Sequence, residues 1–169
     1  NEFVGYENTE STSKIYQVET YDDKFIIFTK RNPFYYEAGG QISDKGVVTI
    51  DDTSIEVIDV FQASNGATGL IVDSDIFKVD QEVKLSVNKS FRSGVSKSHT
   101  GAHIVHSALR NILGDHVAQA GSNVTPGKFR FDFSHTEKVS QEELDEIFAL
   151  SNSAAVSYTH LTLPTISRV

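Results

Sequence analysis

The hydrophobic period of this chain changes once, near residue 97, and that change splits it into two kinds of structure. Before it, apolar residues come in short runs rich in Val, Ile, Phe and Tyr, broken by Gly, Pro or paired Asp. Side chains alternate across a strand, so such runs bury one face and need partner strands. Residues 14–30, KIYQVETYDDKFIIFTK, give two strands joined at Asp22-Asp23. Residues 33–46 form a loop punctuated by Pro33, Gly39-Gly40 and Gly46. Strands at 47–50, 54–62, 70–72 and 81–87 follow, separated by Asp51-Asp52 and the SNGATG turn. Short strands at near-regular spacing predict a small β-barrel or sandwich.

From residue 98 to 113 the period becomes helical. Ile104, Val105, Ala108, Leu109, Ile112 and Leu113 fall on one stripe. Ser98 is the expected N-cap and Gly114 the expected stop. Two short strands are expected near 117–121 and 128–134. A second helix starts at Ser140, where Ser140 and Glu143 have capping-box spacing, and runs through Ile147 toward Leu150. The expected class is α+β: a small β-barrel over residues 1–88, then an α+β unit over 89–152. The ending SYTHLTLPTISRV continues no period, so 153–169 reads as an aberrant tail, an assembly scar outside the fold.

Composition narrows the partners. Net charge is −8, from 15 basic and 23 acidic residues. That weighs against a general nucleic-acid-binding surface, DNA included, but leaves room for a local basic patch. One basic stretch, 84–97, holds Lys84, Lys89, Arg92 and Lys97, with Lys78 just upstream, and reads as a solvated connector. No apolar run approaches the ~18 residues a membrane span needs. There is no Cys, hence no disulfide and no Cys-ligated zinc within these residues. There is also no Met, even at position 1, and the chain reads as a piece of a longer one.

The segment SHTGAHIVH, residues 98–106, concentrates three of the six histidines. On a helix, His99 and His103 stand at i and i+4, on one face and one turn apart, where two imidazoles can share a Zn²⁺. His106 at i+7 lies two turns from His99 and suits a third ligand less well. Thr100 occupies the position where a zinc protease carries its glutamate base, which weighs against that chemistry. Spacing supplies two ligands of the three or four that zinc needs. A metal pair and two surface imidazoles therefore both remain open at this point.

The longer segment HTGAHIVHSALRNILGDHVAQAGSNVTPGKFRFDFSH closely resembles the editing domain of the alanyl-tRNA synthetase family. NPFYYEAGGQISDKGVV resembles the glycine-rich loop of the barrel that precedes it, and EFVGYE the entry into that barrel. The resemblance runs in register from residue 2 to about 152. Free-standing AlaX-type editing proteins and the threonyl-tRNA synthetase editing domain share the zinc-site logic.

The resemblance implies a hydrolase that clears serine or glycine wrongly esterified to the alanine tRNA. An alanine pocket cannot strongly exclude smaller glycine and excludes serine only modestly, so a second site must remove the errors. By resemblance His99 and His103 are the first two zinc ligands. The family's other two come from a Cys-x-x-x-His motif further toward the C-terminus. His106, His116, His135 and His160 form no such motif, so half a zinc site is expected here. Gln119 matches the glutamine of a Q-x-G-S segment lining the pocket, with Gly121 and Ser122 following, and is the first catalytic candidate. Many family members carry Thr just before the second His. Here Ala102 stands there, and Thr100, two residues earlier, is the second catalytic candidate. Gly39, Gly40 and Gln41 match the substrate-facing loop. Ala102, Phe131 and Asp132 complete the expected substrate contacts, although core packing explains Phe131 and Phe133 equally well.

The expected partners are the acceptor end of the alanine tRNA and its mischarged seryl and glycyl forms, in the cytoplasm. ATP would serve the ligase part of such an enzyme. Two rivals stand beside this reading: a free-standing trans-editing hydrolase and a non-catalytic tRNA-acceptor-binding module.

Overall fold

The computed structural model describes residues 1–157, which form two compact units. The first joins Asn1–Ala38 to Ile42–Arg92; the second joins Gly39–Gln41 to the residues from Ser93 onward.

The first unit contains β1 (Glu2–Phe3), β2 (Glu10–Tyr21), β3 (Lys24–Thr29), β4 (Arg31–Asn32), β5 (Gly46–Ile50), β6 (Thr53–Gln62), β7 (Thr68–Val72) and β8 (Glu82–Val87). Six of these close into an antiparallel barrel in the order β2-β3-β7-β6-β5-β8, with β8 pairing back onto β2. Closure leaves those strands no free edge. β1 and β4 make a separate parallel pair. The expected turns are tight: Asp22 and Asp51 take φ of 52° and 49°, a left-handed conformation that Asp tolerates better than most residues. Alternation is plain in β8, where Val83, Leu85 and Val87 are buried while Glu82 and Lys84 face solvent. Ile15, Ile27, Phe34, Val48, Val57, Leu70, Val72 and Leu85 fill the barrel, all fully buried. Each such side chain contributes about 1.5–3 kcal/mol by leaving water.

The 84–97 stretch is not a connector. Its first part is β8, and the rest opens helix α1 (Lys89–Leu113), nine residues earlier than Ser98. The cap is Asn88, whose Oδ1 accepts the Phe91 N–H at 3.0 Å. Ser98 instead lies inside the helix, fully buried, its Oγ without a hydrogen-bond partner. The basic residues are largely engaged. Lys84 and Lys89 both approach Glu10, at 3.0 and 3.7 Å. Arg92 forms a partly buried ion pair with Asp44, whose side chain is 1% exposed. The guanidinium also donates to the carbonyls of Gly5 and Pro33, both at 2.8 Å. Asp44 in turn accepts the Tyr35 N–H at 2.7 Å. Arg92 thus ties three loops of the barrel unit together.

The second unit holds most of α1, the hairpin β9 (Ala118–Thr125) and β10 (Lys128–Ser134), and α2 (Gln141–Ser157). Gly114, at φ 112°, ends α1 as expected, its N–H still bonded to Arg110 O at 3.0 Å. Ala108, Leu109, Val117 and Ile147 form the small core, with Val105, Ile112, Leu113, Phe131 and Phe133 packed on it. The capping box is present in both directions: Ser140 N–H donates to Glu143 Oε2 at 2.8 Å, and Glu143 N–H to Ser140 Oγ at 3.2 Å. These bonds to Ser140 hold the Glu143 carboxyl below the usual carboxylate range. Helix α2 continues to Ser157, so residues 153–157 of the expected tail are helical. Its remainder, with His160, lies outside the described residues. Among the described residues no helix is long and apolar enough to cross a membrane.

Candidate functional site

The second unit contains three residues from far upstream, Gly39–Gln41. They dock on the outer edge of β9: Val124 N–H donates to Gly40 O at 2.8 Å, and Gln41 bridges Val124 in parallel register. Glycine is required at 40 on two counts. Its φ is 78°, and a Cβ there would stand 2.0 Å from Ser122 Oγ and 2.9 Å from Ser122 O. Gly39, at φ 61°, faces open space and presents bare backbone to the cleft beside it.

A bulge aims the next element. β9 pairs with β10 through Ser122–Phe131 and Gly121–Asp132, but the following partner of Phe133 is Gln119, leaving Ala120 unpaired. Strict alternation would put Gln119 and Ser122 on opposite faces. The extra residue turns Gln119 back onto the face of Ser122 and Phe131. Its Nε2 then donates to Ser122 Oγ at 3.0 Å. Gln119, Ser122, Val124 and Phe131 line one cleft together with Gly39, His99, Ala102 and His103.

His99 and His103 project from α1 with rings stacked, centroids 4.9 Å apart and planes 17° from parallel. His99 Nδ1 meets Gln41 Oε1 at 2.7 Å. Since the amide oxygen only accepts, Nδ1 carries the proton and Nε2 keeps its lone pair. Burial, and secondarily the neighbouring His103, push the His99 pKa below the ordinary 6.5, which favours the neutral ring.

Both histidines also line a second, more open cleft with Gln41, Ser96 and Thr100. The expected site residues therefore divide. Gly39, Ala102, Gln119, Phe131, His99 and His103 converge on the first cleft. Thr100 lines the other one, and its hydroxyl donates to Ser96 O at 3.1 Å, so the two catalytic candidates Gln119 and Thr100 are not brought together. Asp132 is not brought to the first cleft. It is exposed on the β10 face opposite Phe131, where its carboxylate pairs with Arg130 at 3.2 Å. Gln41 is buried and bonded to His99, which makes it a positioning residue. Ser122 joins the cleft as the cross-strand partner of Phe131.

The donor chemistry suits a metal in part. A ligating histidine usually gives its other N–H to an oxygen, as His99 does to Gln41. His99 thereby has the tautomer of a ligating histidine, with Nε2 unprotonated. Among the described residues no cluster of three or more His, Cys, Asp or Glu side chains could hold an ion.

The family model for tRNA synthetases class II (A) matches residues 1–91, the barrel unit. The alanine–tRNA ligase of Caldicellulosiruptor saccharolyticus is 38% identical over 163 residues, covering 89% of this chain and 18% of the ligase. That of Oceanobacillus iheyensis is 39% identical over 156 residues, 86% of this chain and 18% of its own length. That of Methylacidiphilum infernorum is 41% identical over 153 residues, 90% of this chain and 16% of its own length. The chain thus spans less than a fifth of these curated relatives, and alignments of that coverage run well into the second unit. The chain belongs to the family of class II (A) tRNA synthetases and, over most of its length, is similar to one segment of the alanine–tRNA ligases.

Proposed function

We propose that the second unit is the editing pocket of an alanine–tRNA ligase and removes serine or glycine wrongly esterified to the alanine tRNA. The observation that carries this reading is the convergence of Gly39, His99, Ala102, His103, Gln119 and Ser122 on one small cleft. Such a cleft suits the 3′ aminoacyl end of a tRNA. The bare Gly39 backbone admits the terminal ribose, and the Gln119 amide and Ser122 hydroxyl can bond a small polar amino acid. Phe131 forms an apolar floor that limits side-chain size. A site that hydrogen-bonds the extra hydroxyl of serine discriminates far better than one that only measures volume.

Hydrolysis breaks the bond between the aminoacyl carbonyl carbon and the ribose 3′-oxygen. Water adds its oxygen to that carbon, and the ribose oxygen leaves with a proton. Neutral His99, held by Gln41, keeps Nε2 free to bind. A zinc ion held by His99 and His103 with further ligands would polarise the water or ester oxygen. Gln41 fixes the ring that would hold it. Ligation of alanine to the tRNA with ATP, in the cytoplasm, is proposed for the enzyme to which this segment corresponds.

A binding role without cleavage is the second reading. Ala102 replaces a hydroxyl, the Thr100 hydroxyl is engaged by Ser96, and the described residues offer two zinc donors. The test is release of serine from seryl-tRNA(Ala) by the protein and by Gln119→Ala and His99→Gln. Editing requires release above the spontaneous rate and its loss in both variants. Binding of the tRNA with release at the spontaneous rate would establish the second reading.

A further inference from the structure

We propose a second, separate cation site at His116 and His135, which takes a divalent transition metal of borderline softness such as Zn²⁺. Neither residue takes part in the cleft described above. His116 Nε2 and His135 Nδ1 face each other at 2.9 Å, with rings 5.0 Å apart and planes 22° from parallel.

The backbone sets this geometry before the rings meet. His116 lies two residues before β9 and His135 one residue after β10, and Ala118–Ser134 is the last pair of the ladder between those strands. The Ser134 hydroxyl closes that end by bonding both Ala118 N–H and Ala118 O at 3.3 Å. The His116 ring is also seated against Gly114, where a Cβ would come within 3.0 Å of Nδ1. A metal at Zn–N distances near 2.0–2.1 Å with a tetrahedral angle needs nitrogens roughly 3.3 Å apart, so the rings must separate by roughly 0.4 Å and turn until both lone pairs leave the N···N line for the ion.

The surroundings favour a cation. His116 follows the C-terminus of α1 by three residues, where carbonyl dipoles point outward. Glu143, on α2, is held in its charged form mainly by its bonds to Ser140, with a minor contribution from His135. Asp115 is the adjacent residue, partly engaged by Arg110 at 2.9 Å. With two protein ligands, the other positions are left to water or an exogenous donor.

Protons balance simply. The hydrogen bond needs one N–H and one lone pair between the rings. On binding, the donor ring releases that proton and takes one on its outer nitrogen. His116 then carries its proton on Nδ1 and His135 on Nε2, with no net change of charge from two neutral rings. At lower pH the ion must displace a bound proton and binds more weakly.

The experiment is a Zn²⁺ titration of the full chain, followed by long-range ¹H–¹⁵N spectra of the imidazoles. It is run on the parent protein, on His99→Gln/His103→Gln and on His135→Gln. The expected result is that His116 Nε2 and His135 Nδ1 shift together in the first two proteins, and that His116 loses its response in the third. His116→Gln provides the reciprocal test, with the backbone spectrum confirming the fold. The proposal is overturned if the His116 and His135 signals stay fixed, if they move only when His99 and His103 are present, or if His116 responds unchanged without His135. None of these readouts depends on ester hydrolysis.

Discussion

Gln41 and His99 are 58 residues apart in sequence, yet the amide oxygen of one accepts the Nδ1–H of the other at 2.7 Å. That bond selects which nitrogen of His99 stays free. Gln41→Ala should leave the fold intact and let the ring rotate and change tautomer. Loss of such an orienting partner lowers metal affinity or activity by about 10–100-fold. Long-range ¹⁵N spectra should show mixed His99 tautomers, and the deacylation rate should fall in step. An unchanged tautomer with full activity would remove Gln41 from the site.

Gly40→Ala should disorganise the cleft. A left-handed backbone costs a non-glycine residue about 1–2 kcal/mol, and the new methyl would also meet Ser122 Oγ at 2.0 Å. Adding Ser122→Ala should restore only part of the stability, because the Ser122 carbonyl still stands 2.9 Å away. Thermal unfolding of the single and double variants measures this.

The cleft was legible in the sequence where chemistry is local, and hidden where it depends on pairing. Histidines at i and i+4 on a helix need no tertiary knowledge to be placed on one face. The docking of Gly39–Gln41 joins Gly40 and Gln41 to Val124, more than eighty positions later, and only the assembled edge reveals it. The bulge at Ala120 defeats a period of two, so Gln119 and Ser122 share a face that alternation denies them. The start of α1 was misread for a different reason. Its buried face there uses one isolated apolar residue, Val95, followed by Ser98, Gly101 and Ala102, small residues that give almost no hydrophobic signal. Arg92 looked like solvated charge because its partner Asp44 lies 48 residues upstream. The barrel strands were read well, since their Val, Ile and Phe runs report burial directly.

Asp44→Asn should destabilise the barrel unit severely. It leaves the largely enclosed Arg92 guanidinium, 18% exposed, without its counter-ion. Breaking one side of a buried pair costs about 3–5 kcal/mol. Urea unfolding should show that loss, whereas Lys84→Ala, removing an exposed and solvent-screened pair with Glu10, should leave the curve almost unchanged.

The His99 pKa, lowered chiefly by burial and then by His103, makes stability fall on acidification. Above the ordinary value of 6.5 the ring is neutral in both folded and unfolded chains and contributes no pH dependence. As pH drops below that value, the unfolded chain takes up a proton that the folded site resists. Stability declines until pH passes the lowered folded value. His99→Gln should flatten that part of the unfolding curve, and an imidazole titration should place His99 below the ordinary histidine value.

The most direct test of the central claim is a deacylation time course with seryl-tRNA(Ala) and alanyl-tRNA(Ala) side by side. The account expects serine to be released well above the spontaneous rate, alanine to be spared, and Gln119→Ala to abolish the difference. Spontaneous release of both esters, or equal release unaffected by Gln119→Ala, would contradict the assignment of this cleft to editing.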